Sequence, residues 1–438
     1  MIILTFGGYM EEIKPIDHLG ICKNFNDIWE YVVLGNSRYF LNRFQRIYEI
    51  KRKEQLSALK EEYNKHKEDS KERENLEIII ERLNKLPFNK GNIFIKFHNN
   101  NEPFVQIESN VRNRKVDLVY SFGSNTPSVE KDILETICDA AVRAGAEQIN
   151  LYAPFIPYQR EDKKDKGRVA IAAKAFLKSI QNHCGNKLGR IVTFDLHSGQ
   201  AQGFIDRPVD NLYASTIFAR YIKSIQFKER FGIEYNKDDF IAVSPDAGSN
   251  KRTKDFAGLL GCGSVTIEKE QREEHGFAEI DKTNYEYLRK KVYGKNVLVI
   301  DDIFDTVGTY LENYYYLKEL GAKLIIGCGT HGINSPSPMK NKDGTKTKKK
   351  YPAEYKLREA GAQIVITDTI TSNNMKPRIK NYYKKNKDII VPLTITPFYA
   401  KVMMTNRLGL NASVSRIIEM EKELVRTRSN INMCRYMI

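Results

Sequence analysis

The pattern of apolar and polar positions changes near residue 93. Downstream, short runs rich in Val and Ile alternate with stretches in which apolar residues recur every three or four positions. This alternation predicts βαβ units and largely parallel sheets flanked by helices. The predicted strands are VDLVYSF, INLYAPF, IVTFDLH, DFIAVSP, GSVTIE, NVLVIDD, KLIIGCGTH and AQIVITDT. The predicted helices are Ser128–Ala144, Ala170–Asn182, Lys251–Leu260 and Tyr310–Leu320, and Gly145 and Gly321 follow two of them as C-terminal caps.

Upstream of residue 93 the pattern is different. Residues 1–27 have the character of an N-terminal extension, a strand is predicted near Tyr31, and a helix runs through Phe40–Ile50. The following segment, 51–90, is rich in lysine and has sparse apolar spacing, which predicts a helical insertion lying on the surface.

The number of strands and the length of 438 residues indicate two domains. We expect two α/β sheets in tandem, the first over 28–212 with the insertion near 51–90. The second covers 213–438, and the sequence leaves open whether its last helix returns to the first domain.

The net charge of +15 raises the question of a polyanionic partner. Part of the excess lies in two lysine-rich stretches, 51–90 and 340–350, rather than on a patch with interleaved aromatic residues. Solvated surfaces are therefore favoured over nucleic-acid binding. A basic chain also suits small polyanions such as nucleotides and sugar phosphates.

Cysteine usage and the length of apolar runs indicate the compartment. The six cysteines are scattered without CxxC or Cys/His metal-ligand spacing, which is typical of reduced thiols in the cytoplasm. The N-terminus lacks the basic flank and long apolar region of a secretory signal. The sequence has no apolar run near the roughly 18–20 residues that span a bilayer, so a membrane protein is not expected.

Residues with distinctive chemistry follow the strands, where open α/β sheets bind their ligands. The strongest motif is VLVIDDIFDTVGTY at 297–310, in which an apolar strand ends at Asp301 and Asp302. The loop that follows and leads into a helix consists of Asp305, Thr306, Val307, Gly308 and Thr309. Helix-start N–H groups can bind a phosphate, and carboxylates accept hydrogen bonds from sugar hydroxyls. A helix cap requires only one such residue, so this density predicts a sugar-phosphate site.

Three further motifs are weaker when taken alone. His197 and Asp246 each follow a strand, and an imidazole with a carboxylate could serve a metal–nucleotide complex. The loop PYQREDKKDKGR at 157–168 carries basic residues that could meet triphosphate oxygens, although a plain solvated loop is equally compatible. Lys269 and Arg272 begin a polar stretch after the strand GSVTIE.

Together these motifs resemble the ribose-phosphate pyrophosphokinases, also called phosphoribosyl-pyrophosphate synthetases. The resemblance runs from about Tyr31 to about Ile418 and is strongest at FDLHSGQAQGFIDRPVDN, VSPDAG and VLVIDDIFDTVGT. The phrase QAQGFIDRPVDN further resembles the phosphate-regulated, oligomeric class. The resemblance implies two tandem phosphoribosyltransferase-like domains that transfer the diphosphoryl group of ATP to ribose 5-phosphate with Mg²⁺. It also implies a homo-oligomer of dimers assembling to a hexamer, or a hetero-oligomer with a paralogue.

The resemblance also implies roles for the matching residues. The Asp301–Asp302 pair and the loop 305–309 would bind ribose 5-phosphate, and His197 and Asp246 are associated with magnesium. The ATP-binding positions are Glu102, Arg160, Glu161, Asp162 and Lys163. Lys269 and Arg272 would act on the phosphates during transfer.

Several positions depart from the family pattern. Val307 stands where the phosphate loop DTGGT has a glycine, and a β-branched residue resists the positive φ that glycine adopts freely. Glu161 replaces a glutamine, Lys163 replaces an arginine, and Gln271 stands where an arginine is expected. The alternative hypothesis is therefore a catalytically weak paralogue that regulates an active synthetase.

Overall fold

The computed structural model describes most of the chain. The described residues are 31–35, 38–68, 70–86, 88–123, 126–270, 279–280, 284–340, 345–370, 379–408, 414–427 and 433. The chain divides into two compact units, one formed by Met1–Leu212 with Thr396–Glu419 and the other by Tyr213–Ile395 with Met420–Ile438. The predicted N-terminal extension, 1–27, lies outside the described residues.

The first unit contains a parallel sheet of five strands. In chain order the strands of this part are β1 (Tyr31–Gly35), β2 (Ile93–Phe97), β3 (Pro103–Ile107), β4 (Lys115–Val119), β5 (Gln148–Tyr152), β6 (Leu188–Phe194) and β7 (Val209–Leu212). The sheet has the order β1-β4-β5-β6-β7, and β2 and β3 form a separate antiparallel ribbon. The helices are α1 (Arg38–Tyr63), α2 (Lys71–Asn84), α3 (Pro127–Arg143) and α4 (Ala172–Cys184).

The lysine-rich segment 51–90 has a buried side that its composition conceals. Leu59 on α1 and Leu76, Ile79 and Leu83 on α2 are at most 1% exposed. The last three recur at helical spacing, so one side of α2 is apolar while charged residues cover the other. The predicted helical character of this segment is confirmed, and both helices bury an apolar side that the sequence analysis did not identify.

The second unit contains a parallel sheet of six strands in the order β17-β16-β13-β12-β8-β9. Its strands are β8 (Phe240–Ser244), β9 (Gly263–Thr266), β10 (Lys269–Glu270), β11 (Glu279–Ile280), β12 (Asn296–Phe304), β13 (Leu324–Gly332), β14 (Ser337–Lys340), β15 (Lys346–Tyr351), β16 (Gln363–Thr367) and β17 (Ile390–Leu393). Two antiparallel ribbons, β10–β11 and β14–β15, accompany the sheet. Its helices are α5 (Ser215–Ile222), α6 (Ile225–Phe231), α7 (Asn250–Leu260), α8 (Tyr285–Val292), α9 (Gly308–Glu319), α10 (Ala353–Ala360) and α11 (Ile379–Lys385).

The predicted fold class is confirmed. Each predicted apolar run contains a strand, and all main-sheet pairings are parallel. Gly145 and Gly321 follow α3 and α9 with φ of +83° and +85°, which is the left-handed conformation of a C-terminal cap. No helix among the described residues combines the length and the apolar character that crossing a bilayer requires.

Two further helices, α12 (Thr396–Leu408) and α13 (Val414–Thr427), follow β17. The chain returns to the first unit at α12, where a buried ion pair joins Arg407 Nε to Asp117 Oδ2 of β4 at 2.7 Å. Arg407 also donates a hydrogen bond to the Tyr48 hydroxyl at 3.2 Å, and that hydroxyl donates to the Leu86 carbonyl at 3.0 Å. This network joins three distant chain segments inside one unit.

Candidate functional site

Asp301 and Asp302 lie on β12, which continues to Phe304. The apolar residues before them, 297–300, are at most 1% exposed, so burial fixes the strand that carries both carboxylates. The Asp302 N–H donates to Asp301 Oδ1 at 2.9 Å, and Arg252 Nη1 of α7 lies 3.6 Å from Asp302 Oδ1. Arg252 therefore lies beside the twin carboxylates.

Two negative charges on the Asp301–Asp302 pair are electrostatically unfavourable. Burial raises the pKa of Asp301 well above its usual range, the charge of Asp302 raises it further, and Arg252 opposes both effects. Asp246 follows β8, which pairs in parallel with β12, and its charge raises the pKa of Asp301 as well. Such a site favours ligands that donate hydrogen bonds or carry positive charge.

The start of α9 forms a cradle of backbone amides. Val307 precedes the helix in the left-handed conformation, with φ 55° and ψ 10°. Among the described residues, no acceptor is found for the amide N–H groups of Val307, Gly308 and Thr309. These amides and the positive end of the α9 dipole make a site for an anion.

Val307 adopts the positive φ that its side chain resists. The left-handed conformation costs about 1–2 kcal/mol for a residue other than glycine. Val307 is only 3% exposed, so its isopropyl group is surrounded by other protein atoms. The substitution of the expected glycine therefore introduces backbone strain at the start of the cradle.

Lys356 is a residue of this site that sequence reasoning missed. Its Nζ donates to the Thr306 carbonyl and to Ser337 Oγ, the second at 2.6 Å. Desolvation lowers the pKa of Lys356, and the charge of Asp305 acts in the opposite direction. Lys356 is 50 residues from Thr306 in sequence and sits in an unremarkable charged helix, so no local signal identifies it.

The predicted magnesium-associated residues lie in different units. Asp246 follows β8 and accepts the Ser249 N–H through Oδ1 at 2.9 Å. His197 follows β6 with an exposed side chain, and its backbone N–H donates to Gln159 Oε1 at 2.9 Å. In the described part of the chain no group of three or more His, Cys, Asp or Glu residues is arranged to hold a metal ion. The pairing of His197 with Asp246 stays a prediction.

The predicted ATP residues lie on two segments of the first unit. Arg160, Glu161 and Lys163 are exposed on the loop between β5 and α4. The Glu161 N–H donates to the Tyr158 carbonyl at 3.0 Å, and the Glu161 carbonyl accepts the Ala173 N–H at 3.1 Å, so the backbone of this loop is held at both ends. Asp162, on the same loop, is partly buried.

Glu102 lies at the turn of the β2–β3 ribbon. It lines a concave pocket of about 570 Å³ together with Lys96, Phe97, His98, Asn99 and Asn100. The pocket combines an aromatic ring with amide and charged groups, a mixture that suits a small polar ring system.

Of the two residues predicted to act on the phosphates, Lys269 and Arg272, only Lys269 belongs to a strand that the structure describes. The backbone of Lys269 lies in β10 and pairs with Ile280 of β11. Arg272 lies outside the described residues. The structure therefore describes the base of this ribbon and no contact of either side chain.

Two parallel sheets in tandem, with acidic and anion-binding groups at a strand end, define a phosphoribosyltransferase-type protein with two domains. Known proteins narrow this class. The family described as the N-terminal domain of ribose phosphate pyrophosphokinase matches residues 71–184, and the phosphoribosyl transferase domain matches residues 208–369. The ribose-phosphate pyrophosphokinase of Campylobacter jejuni is 32% identical over 325 residues, which cover 74% of this chain and 89% of the relative.

Other comparisons agree. The ribose-phosphate pyrophosphokinase of Fusobacterium nucleatum is 30% identical over 345 residues, covering 78% of this chain and 95% of the relative. The fold is similar to that of phosphoribosylpyrophosphate synthetase from Mycobacterium smegmatis, with a TM-score of 0.60 and 23% identity over 86% of this chain and 98% of that structure. The chain belongs to the ribose-phosphate pyrophosphokinase family, a family of diphosphotransferases, as its motifs predicted. The alternative of a weak regulatory paralogue gains no support from these relatives.

Proposed function

We propose that this protein transfers the β,γ-diphosphoryl group of ATP to the C1 hydroxyl of ribose 5-phosphate. The products are AMP and 5-phosphoribosyl 1-diphosphate, which feeds nucleotide biosynthesis. The observation that carries the proposal is the Asp301–Asp302 pair on β12 followed by three available amides at the start of α9. Few ligands other than a phosphorylated sugar need both groups.

Each end of ribose 5-phosphate has a matching group in this site. The vicinal hydroxyls donate to Asp301 and Asp302, whose crowded negative charge is relieved by such donors. The 5-phosphate accepts from the amides of 307–309, with the hydroxyls of Thr306 and Thr309 beside them. The sugar is thereby fixed with its C1 hydroxyl free to react.

ATP and Mg²⁺ are the other ligands of the proposed reaction. Glu102 and the loop residues Arg160, Glu161, Asp162 and Lys163 contact the nucleotide. The donor set fits magnesium through Asp246, a partly exposed carboxylate with one oxygen engaged by Ser249, whereas the imidazole of His197 suits the ion less well. When bound, Mg²⁺ neutralises charge on the phosphates being transferred.

The reaction exchanges one phosphorus–oxygen bond for another. The C1 hydroxyl oxygen bonds to the β-phosphorus as the bond to the oxygen bridging the α- and β-phosphates breaks, and AMP leaves with that oxygen. The hydroxyl proton passes to water, since no dedicated general base is identified among the described residues. Lys269 and Arg272 stabilise the charge that spreads over the oxygens of the transferred group.

Lys269→Ala tests this assignment. We expect AMP release from ATP and ribose 5-phosphate to fall on the order of 10²–10³-fold, with ATP affinity within a few fold of wild type. Lys290→Ala, an exposed lysine of α8, is the matched control and should keep full activity. Wild-type turnover in Lys269→Ala would remove the assigned role. A wild-type protein that releases no AMP, with or without inorganic phosphate, would contradict the proposed function.

We further propose that the enzyme is cytoplasmic and forms homo-oligomers regulated by phosphate. Four described cysteines, Cys138, Cys184, Cys262 and Cys328, are free thiols, in keeping with a reducing compartment. Exposed phenyl groups on the β2–β3 ribbon, Phe94 at 42% and Phe104 at 37%, offer an apolar face for a second copy. Light scattering with and without inorganic phosphate measures the assembly, and a monomer under both conditions would contradict it.

A further inference from the structure

Lys356 is hydrogen-bonded to the loop of the anion cradle at the Thr306 carbonyl. The side chain belongs to α10, is 5% exposed, and donates to the Thr306 carbonyl and to Ser337 Oγ of β14. An ammonium group has three donors, and the described residues supply two acceptors for it. Lys356 therefore joins the loop before α9 to the β14–β15 ribbon.

The bond to Thr306 determines the direction of the first cradle amide. In a planar trans peptide the carbonyl and the following N–H point in opposite directions. Because the Thr306 carbonyl faces Lys356, the Val307 N–H faces away from it. The amide is thereby available for an anion bound on the other side of the loop.

The same bond opposes the relaxation of Val307. Its φ of 55° is strained, and the strain would be released by rotating the peptide between Thr306 and Val307. That rotation changes φ of Val307 and ψ of Thr306 together. It would turn the carbonyl away from Lys356 and turn the N–H out of the cradle.

The geometry points to Lys356 as a positioning residue that locks the phosphate loop in its strained, binding-competent conformation. The inference rests on the proposed function, since the anion in question is the 5-phosphate of ribose 5-phosphate. A glycine at position 307 would adopt the positive φ without strain. In this chain, which has valine there, a charged hydrogen bond from outside the loop holds the conformation.

The decisive experiment measures ribose 5-phosphate affinity by calorimetry and by KM in Lys356→Met. We expect affinity to fall about 10- to 100-fold, the range for a lost hydrogen bond from a charged group. The KM for ATP and the circular dichroism spectrum should stay close to wild type. Lys356→Arg and Ser337→Ala, which retain the donor to Thr306, should keep most of the affinity.

A double variant separates loop positioning from general stability. Val307→Gly in the Lys356→Met background should restore much of the lost affinity, because glycine adopts the positive φ without being held there. The single variant Val307→Gly is the reference for this measurement. The matched control is Lys223→Met, which removes another lysine of the second unit that donates to a backbone carbonyl, that of Val425, at 2.8 Å. It should bind ribose 5-phosphate as wild type does.

The outcomes distinguish the inference from the proposed function. An active wild type together with unchanged sugar-phosphate affinity in Lys356→Met would overturn the inference alone. The inference would also be overturned if Lys356→Met weakened the affinity and Val307→Gly failed to improve it. Lys356 would then affect binding by some route other than this loop. A wild type that binds ribose 5-phosphate without releasing AMP would refute the proposed activity. The affinity of Lys356→Met for ribose 5-phosphate would still decide the inference. A wild type that does not bind the sugar phosphate would refute both.

Discussion

Buried aspartates occur in two contrasting environments in this protein. In the first unit, Asp117 accepts Arg407 Nε through Oδ2 at 2.7 Å and Asn150 Nδ2 through Oδ1 at 2.9 Å, so both oxygens are satisfied. In the second unit, Asp302 has Arg252 at 3.6 Å, and the neighbouring Asp301 carries a raised pKa. The same residue type joins chain segments in one place and lies in the candidate binding site in the other.

The difference lies in how completely each charge is neutralised. A buried charge that is paired and hydrogen-bonded from several segments stabilises one arrangement of those segments and leaves no capacity for a ligand. A carboxylate pair that is only partly offset retains that capacity at the expense of stability. The raised pKa of Asp301 shows that the negative charge of this pair is not fully offset.

The largest stability change is expected at Arg407. Arg407→Met keeps the apolar part of the side chain and leaves Asp117 buried without its cation, so the free energy of unfolding should fall by about 3–5 kcal/mol. Urea denaturation followed by circular dichroism measures it. A loss below about 1 kcal/mol would mean that the pair is not structural.

A double variant provides the control for Arg407. Asp117→Asn removes the carboxylate charge, so Asp117→Asn with Arg407→Met should recover part of the loss, because no uncompensated charge remains. If the effects of the two substitutions on the free energy of unfolding are simply additive, the two side chains are not energetically coupled.

Asp301→Asn should act in the opposite direction on stability. Removing one of two crowded carboxylates should raise the free energy of unfolding at neutral pH by on the order of 1 kcal/mol. Losing an acceptor for the sugar hydroxyls should weaken ribose 5-phosphate binding about tenfold or more. Denaturation measures the free energy of unfolding, and calorimetry on the same preparation measures the affinity for ribose 5-phosphate. A destabilised variant would contradict the view that the two carboxylates repel each other.

The stability difference between Asp301→Asn and wild type should depend on pH in a definite direction. Because the folded-state pKa of Asp301 is raised, its protonated form favours the folded state below the usual value of 3.8, and this contribution is lost as pH rises through the folded pKa. The stability advantage of Asp301→Asn should therefore be small in acid and grow towards neutral pH. An advantage that is constant with pH would exclude ionisation of Asp301 as its cause.

The sequence predicted the sheets and strand-end motifs well because these features are local. Apolar runs predicted the strands, and the acidic and threonine residues after Ile300 predicted the candidate site, which lies at the end of β12 and the start of α9. Arg407 and Lys356 could not be predicted, since each makes its contact across at least 50 residues through tertiary packing. The apolar side of α2 was also missed, because glutamate and arginine are interspersed among its apolar residues, although Leu76, Ile79 and Leu83 are buried.

The smallest effect is expected at Val307, where two contributions oppose each other. Val307→Gly removes a buried side chain, which is unfavourable, and releases left-handed strain of about 1–2 kcal/mol, which is favourable. Val299→Gly on β12 is the matched control, since Val299 is fully buried in an extended strand and its loss should cost about 2–4 kcal/mol. We expect Val307→Gly to reduce the free energy of unfolding by about 1–2 kcal/mol less than the control. An equal or greater loss in urea denaturation would mean that the positive φ is not strained, and the need for Lys356 to hold the loop would disappear with it.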